Sequence, residues 1–578
     1  MKRISLLLVF AVFLVSVGVI HSELTRLNRG NGPNFVAGEV VVKLKQNTAI
    51  TAFKALGALN LESLVSDRNI YTLKFPQTMD VKALIGELKK HPHVVYAEPN
   101  YIYTTDDFSV SGSGMVPDPD FPKNWGLHNT GQKDKNDQEG TIGSDIDALK
   151  AWVEQTGSLE VKVAVIDTGI DYKHEDLAAN IMHNTGEVGE YTDPDGTLKH
   201  KETDGIDNDG NGFIDDVIGW NFVKNSNNPM DDYGHGTHVA GTIGAVGGNG
   251  VGTVGVAWKV SLLAVKFLDS GGSGSLADAV KSIDYATKMG VHAMNNSWGG
   301  GGFSQALADV IQAANEKGII FLAAAGNDGG NNDKSPHYPS NYQFENVIAV
   351  AATDNKDNLA DFSNHGKTTV PVSAPGVGIY STLPDNKYGF LSGTSMATPH
   401  VAGVVALLLA QFPNATMAEI KQKLMNSTEE IKALRRKVTS GRVNAYYAVT
   451  GYEPPRFVPT DPSLWVTQEH KLSSPHDYEN DKVYNWKITH PGATRMRVHF
   501  SKFDTEAGYD TVTIKDDAGG VVDTFEGTLD PLWSFEAEGN TIEIILKTDK
   551  YVARYGFDID QYQYVIENTV TPDPTTLQ

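Results

Sequence analysis

Several stretches of the chain are apolar without a break rather than alternating, and each ends on small or polar residues: 161–167, 260–268, 291–296, 318–325 and 347–352. Runs of that length and β-branched content predict strands buried on both faces. Between them, 275–289 and 305–317 carry apolar residues at helical spacing, and 401–409 is an apolar helical run. Strands alternating with helices predict an α/β region, a mostly parallel sheet covered by helices on both faces. The flanks read differently. Residues 39–45, 70–75 and 94–97 have the character of strands, while 49–59 and 81–90 have helical spacing, which predicts a small α+β unit over residues 36–103. Beyond the proline-rich stretch 453–462, residues 496–500, 510–514 and 542–546 alternate or nearly alternate between turns. They predict an all-β sandwich of about 100 residues.

Composition narrows the function classes. The chain has 578 residues, of which 40% are hydrophobic, and a net charge of −23. That length suits several domains of about 100–200 residues each. An acidic surface repels nucleic acid and anionic membranes, so neither is expected as a partner. The absence of cysteine excludes disulfides and thioether-linked lipids. Lys2 and Arg3 precede an apolar stretch that reaches Ile20, with Gly18 and Ser22 near its end. Residues 1–22 therefore read as a secretory signal peptide, which implies an extracellular protein with no stable membrane anchor.

Gly393-Thr394-Ser395-Met396-Ala397 opens the last helical run with a serine among small residues. Free first-turn N–H groups and the helix dipole favour the negative oxygen that a serine's attack creates. Alone, the pattern is that of an ordinary capping serine. Two partners change the picture. The run 161–167 delivers Asp167 at the C-terminal end of a buried strand, where open α/β sheets place their sites. Gly234-His235-Gly236-Thr237-His238 sets a histidine between glycines at the start of a small-residue helix. With this Asp, His, Ser order and these three motifs, residues 117–450 resemble the subtilisin family of serine endopeptidases.

The resemblance implies Ser395 as nucleophile, His235 as general base and acid, and Asp167 as the group that fixes the imidazole tautomer. It also implies that Asn327, following the run 318–325, donates to the oxyanion. His238 and His400 are expected to be buried and satisfied. Residues 23–112 are similar to a subtilisin prodomain with its processing linker, which inhibits the active site through its C-terminal end. The catalytic domain is then 113–452 and a linker spans 453–463. Residues 464–566 resemble a CUB domain through Tyr484-Asn485-Trp486, Phe503-Asp504, Tyr509-Asp510 and Tyr555-Gly556-Phe557, without the cysteines of animal examples. A tail covers 567–578.

Substrate contacts follow from the same resemblance. Ser297-Trp298-Gly299 and Gly272-Ser273-Gly274 match the two segments that sandwich an extended peptide as an added strand. Ala324 and Gly326 suggest a roomy apolar first pocket, and protein or peptide chains are the expected substrates. Ca²⁺ is the expected cofactor. Asp207, Asp209, Asn211 and the Phe213 carbonyl take the spacing of the first half of an EF-hand loop. The twelfth position is Ile218, so Asp215 or Asp216 has to replace the usual glutamate. Asp176 and Asn249 lie where the family holds calcium, and Glu506, Asp510 and Asp549 where many CUB domains do. Two other readings stand beside this one. Asp167-Thr168-Gly169 and Asp269-Ser270-Gly271 also match aspartic-protease signatures, which demand an all-β chain. A non-catalytic, protease-like scaffold carrying a binding domain is the other.

Overall fold

The computed structural model describes residues 35–45, 49–65, 69–101, 116–135, 137–300 and 302–566. The expected signal peptide, the processing linker and the tail lie outside the described residues. The chain divides into two compact units, Met1–Gly112 and Ser113–Gln578.

In the first unit, strands β1 (Phe35–Leu44), β2 (Asn60–Val65), β3 (Ile70–Lys74) and β4 (Val94–Tyr101) form an antiparallel sheet in the order β2-β3-β1-β4. Helix α1 (Val81–Leu88) starts where the Asp80 carboxylate accepts the N–H groups of Lys82 and Ala83. Its Val81, Leu84, Ile85 and Leu88 are buried, the spacing of a single helix face. Residues 49–59 depart from expectation. Ile50–Leu56 is a 3₁₀ helix, and the left-handed Gly57 ends it by donating to the carbonyls of Lys54 and Phe53. Strand β2, which lacks a continuous apolar run, was not predicted.

The second unit is centred on an eight-stranded sheet. Its strands are β5 (Gly157–Asp167), β6 (Gly219–Asn221), β7 (Lys259–Lys266), β8 (Ala293–Asn296), β9 (Ile320–Ala324), β10 (Val347–Thr353), β11 (Val372–Pro375) and, after a hairpin of β12 (Ile379–Leu383) and β13 (Lys387–Leu391), β14 (Gly441–Arg442). The order is β14-β11-β10-β9-β8-β5-β7-β6, and every pairing is parallel. Alternate residues of β5 serve two cores. Val163 and Val165 pack with Val239 and Val401 on one face, while Ala164 and Ile166 pack with Ile283 and Ile311 on the other. Helix α2 (His235–Gly244) and helix α3 (Thr394–Gln411) supply the first layer; α4 (Leu276–Lys288) and α5 (Gln305–Glu316) supply the second. Helix α3 is apolar around most of its circumference because it is buried in the core, not because it crosses a membrane.

After residue 453 the chain runs along both neighbours. Arg456 Nη2 donates to the Met425 carbonyl at 2.8 Å, and the Thr460 N–H donates to Glu536 at 2.9 Å. The sandwich has one sheet ordered β15 (Val466–Ser473), β21 (Gly556–Val565), β17 (Arg495–Asp504) and another ordered β16 (Val483–Thr489), β20 (Thr541–Lys547), β18 (Thr511–Lys515), β19 (Val521–Phe525), all antiparallel. Phe500, Phe503, Phe525 and Phe557 fill the space between them. Arg436 of the α/β region clasps this module. Its guanidinium donates to the buried Asp523 at 3.0 Å and to the Trp533 carbonyl at 2.8 Å.

Candidate active site

Strand β5 ends on Asp167, which has no exposed surface. Its Oδ1 accepts from the Thr168 N–H at 2.7 Å and pairs with His235 Nδ1 at 2.8 Å. His235 is the first residue of α2, and its neighbour Gly236 is what lets the helix start so close to the strand end. A Cβ there would overlap the Gly169 carbonyl and lie 3.1 Å from the Asp167 Cβ. Asp231, which carries no motif of its own, holds the approach to the helix. Its carboxylate accepts the N–H groups of Tyr233, Gly234 and Thr237 and the hydroxyls of Thr168 and Thr237.

The three histidines separate electrically. Burial works against a charged His235, but the Asp167 carboxylate and then Asp231 outweigh it, so its pKa lies above the usual 6.5. One turn on, burial and the neighbouring His235 push His238 down to about 3, and its Nε2 faces the carbonyls of Ile379 and Gly389. Burial likewise takes His400 down to about 4, with Nδ1 against the Met396 carbonyl.

Ser395 is the second residue of α3, at the end where backbone N–H groups have no partner within the helix. Its hydroxyl donates to the Ser297 carbonyl at 3.0 Å, so it is turned to the end of β8 rather than hydrogen-bonded to His235. Ser297 Oγ in turn donates to the Ser395 carbonyl at 2.8 Å, tying strand end to helix start. Asn327, on the turn after β9, is oriented by Thr394. Its Oδ1 accepts the Thr394 N–H and hydroxyl, each at 2.9 Å, which leaves the amide NH₂ as the outward donor beside Gly393.

The two expected edges flank this point. Ser297 is buried, Gly299 is exposed, and Trp298 sits edge-on to Phe267 with ring centres 4.9 Å apart. Gly272, Ser273 and Gly274 lie on an outer turn closed by Asp269, whose carboxylate accepts the N–H groups of Gly271 and Ser273. That use of Asp269, together with the parallel sheet, removes the aspartic-protease reading. Ala324 is the buried last residue of β9, and Gly326 follows with φ +113°.

Comparison with known proteins agrees with this geometry. The sequence profile of the subtilase family matches residues 158–449, that of the fervidolysin N-terminal prodomain residues 23–100, and that of the CUB domain residues 466–561. The thermophilic serine proteinase of Bacillus sp. (strain AK1) is 34% identical over 422 residues, covering 72% of this chain and 88% of its own. The chain belongs to the subtilase family. Thermitase of Thermoactinomyces vulgaris is 39% identical over 304 residues, 53% of this subtilase and 93% of that protein. Subtilisin DY of Bacillus licheniformis is 37% identical over 287 residues, 50% of this chain and 90% of that protein. The subtilase is thus a serine protease with a prodomain and a CUB domain.

Three groups of acids in this subtilase could hold a cation. In the long connection between β5 and α2, the carboxylates of Asp209 and Asp216 come together with Glu187, their oxygens within 4.8 Å of one another. This differs from the expected EF-hand order. Asp207 is not among those three and accepts the N–H groups of Gly210, Asn211 and Gly212, while Asp215 accepts the Gly205 N–H. Asn211 Nδ2 donates to Asp209 and Asp216, and the Phe213 ring is packed against Trp220, Phe222 and Tyr285. The second group pairs Asp176 with Asp118. Asn249 Nδ2 and the Thr253 N–H donate to Asp176, while the Gly248 N–H donates to Asp118. Burial raises both acids, Asp176 to about 6. In the third, Glu506, Asp510 and Asp549 meet with oxygens again within 4.8 Å. Each group contains a buried carboxylate oxygen without a hydrogen bond: Glu187 Oε2, Asp118 Oδ1 and Glu506 Oε2. Glu187 and Asp118 escaped the sequence reading because they lie far along the chain from the loops they join.

Proposed function

We propose that this subtilase is an exported endopeptidase that cuts protein chains through an acyl-enzyme on Ser395. The observation that carries the reading is the 2.8 Å bond between buried Asp167 and His235 Nδ1 at the start of α2, with Ser395 at the start of α3, a helix in the same layer. With Nδ1–H held by Asp167, the neutral imidazole offers Nε2 as the base. In the reacting enzyme the Ser395 hydroxyl turns from the Ser297 carbonyl to that nitrogen. Ser395 Oγ then attacks the scissile carbonyl while His235 takes its proton and later passes it to the leaving amine. The Asn327 amide and the Ser395 N–H receive the oxyanion. An extended substrate runs between the edges at Gly272–Gly274 and Ser297–Gly299.

Residues 1–22 serve for export, and residues 23–112 act as an intramolecular inhibitor that the enzyme removes itself. The catalytic domain is 113–452, the linker 453–463 and the CUB-like domain 464–566. The three acid groups suit Ca²⁺, a hard cation that takes carboxylate oxygens, and their unpartnered oxygens are the reason. Calcium bound there stabilises the fold and takes no part in proton transfer.

The test compares the wild type with Ser395→Ala, produced with its leader in the presence of calcium. Only the wild type should lose residues 23–112 by intact mass, degrade casein, and be labelled on Ser395 by a sulfonyl fluoride. Casein degradation by the alanine variant at the normal rate would sink the assignment.

A further inference from the structure

A buried lysine stands beside the site and takes no part in the chemistry proposed above. Lys266 closes β7 opposite Asp167, its partner in the parallel ladder, and is only 1% exposed. An ammonium has three N–H groups to give and accepts nothing. Here all three are placed: on the Thr168 carbonyl at 2.6 Å, on Asp232 Oδ1 at 2.6 Å and on the Leu268 carbonyl at 2.7 Å.

These acceptors belong to the three segments that the reaction needs in register. Thr168 follows Asp167. Its N–H donates to Asp167 Oδ1, and its hydroxyl accepts the Gly236 N–H from the first turn of α2 while donating to Asp231. The carbonyl is the remaining polar group of that residue, and Lys266 holds it. Asp232 follows Asp231, whose carboxylate gathers the approach to His235. Leu268 precedes the turn that Asp269 closes, on the edge assigned to the substrate, and its own N–H donates to the Asp167 carbonyl at 3.2 Å. A buried cation is costly without a counter-charge, and Asp232 supplies it. Two more charges lie around the pair. Lys224 Nζ is 3.8 Å from the second Asp232 oxygen, and Asp269 is held below the usual carboxylate range by the N–H groups of Ser273 and Gly271 and, more weakly, by the Lys266 charge.

We infer that Lys266 is a positioning residue for peptide hydrolysis: its ammonium holds the Asp167 strand end, the approach to His235 and the substrate edge at one spacing, without touching a reacting atom. The inference rests on the proposed endopeptidase reading. Lys266→Met keeps the length of the chain and leaves the Thr168 and Leu268 carbonyls without that donor. Asp232→Asn keeps the shape and the acceptor and removes the counter-charge. A buried ammonium so deprived gives up its proton more readily, and the neutral amine then turns a lone pair toward one of its three acceptors.

The test measures kcat and KM on a fluorogenic peptide that spans both edges. Processed enzyme is counted by a sulfonyl fluoride end point and kept well below its Tm, so that lost stability alone does not register. Lys266→Met should lower kcat/KM by about tenfold to a hundredfold, with kcat falling and KM rising together. Relative to the wild type, Asp232→Asn should lose kcat/KM reversibly as the pH rises from about 7 to 10, and the same substitution made in Lys266→Met should show no such decline. Should Lys266→Met not mature, Asp232→Asn carries the test alone. An unchanged kcat/KM in Lys266→Met, or a pH profile of Asp232→Asn parallel to that of the wild type, overturns the inference alone. No hydrolysis by the wild type overturns it together with the endopeptidase reading.

Discussion

Asp167 in the α/β region and Glu506 in the β-sandwich are carboxylates held near strand ends, and each keeps one buried oxygen without a partner, Oδ2 and Oε2 respectively. They differ in company. Asp167 meets an imidazole 2.8 Å away, whereas Glu506 meets two further carboxylates, Asp510 and Asp549, and burial followed by their charge raises its pKa. A buried carboxylate is costly unless it has a counter-charge. In one region the chain supplies that charge and can switch it by moving a proton. In the other the chain gathers further negative charge, which Arg554 opposes more weakly than Asp549 and Asp510 add to it, so a cation from outside would complete the group. The Glu187 group repeats the second pattern within the α/β region itself.

Breaking the first region should have the largest effect. Ser395→Ala should lower turnover by about 10⁶, a size known from subtilisin itself rather than derived from this geometry. Retention of near-normal casein hydrolysis by Asn327→Ala would contradict its place opposite the oxyanion; the expected loss is about 10²–10³, again a figure from this family. The acid groups should respond to metal instead. At a hundredfold excess over Kd, calcium stabilises by about 2.7 kcal/mol, seen as a rise in Tm that a chelator reverses. Glu506→Gln should remove the sandwich's share of that rise and leave casein hydrolysis unchanged, while Glu187→Gln should remove a share belonging to the α/β region.

The pH responses sharpen the contrast further. His235 is raised by Asp167 despite its burial, so kcat/KM should fall on the acid side with an apparent pKa above 6.5. Asp176, raised to about 6, binds a proton in competition with calcium. Its site should weaken by about tenfold per pH unit below that value, measured by calcium titration at pH 5 and 7. Without metal the sign reverses. The folded form then holds a proton between the unfolded value near 3.8 and about 6, so this acid's contribution to stability declines as pH rises through that window.

What the sequence made legible was whatever is local. Asp167, His235, Ser395 and Asn327 each sit at the end of an apolar run or beside small residues that bring the backbone close, so pattern and chemistry coincide. Glu506, Asp510 and Asp549 could be named through a family likeness, and the structure brings them to one place. Glu187 could not, since it lies 22 residues before Asp209 and is joined to it only by folding, when the Asp209 N–H donates to its Oε1. Asp118 and Asp231 were hidden for the same reason: a carboxylate that gathers loop N–H groups leaves no spacing rule behind. Asp207 shows the converse. Its position fits a ligand motif, but the fold gathers Asp209 and Asp216 with Glu187 instead, and both Asp207 oxygens face the N–H groups of its own turn.

The Arg436 clasp bears on how such an enzyme would work on a solid or crowded substrate. With Asp523 and the Trp533 carbonyl on one guanidinium, and the connecting chain bonded at Arg456 and Thr460, the sandwich is tied to the α/β region by more than its linker. A surface held by that module would meet the cutting point at the bearing and radius these bonds set, as a compass leg stands from its needle.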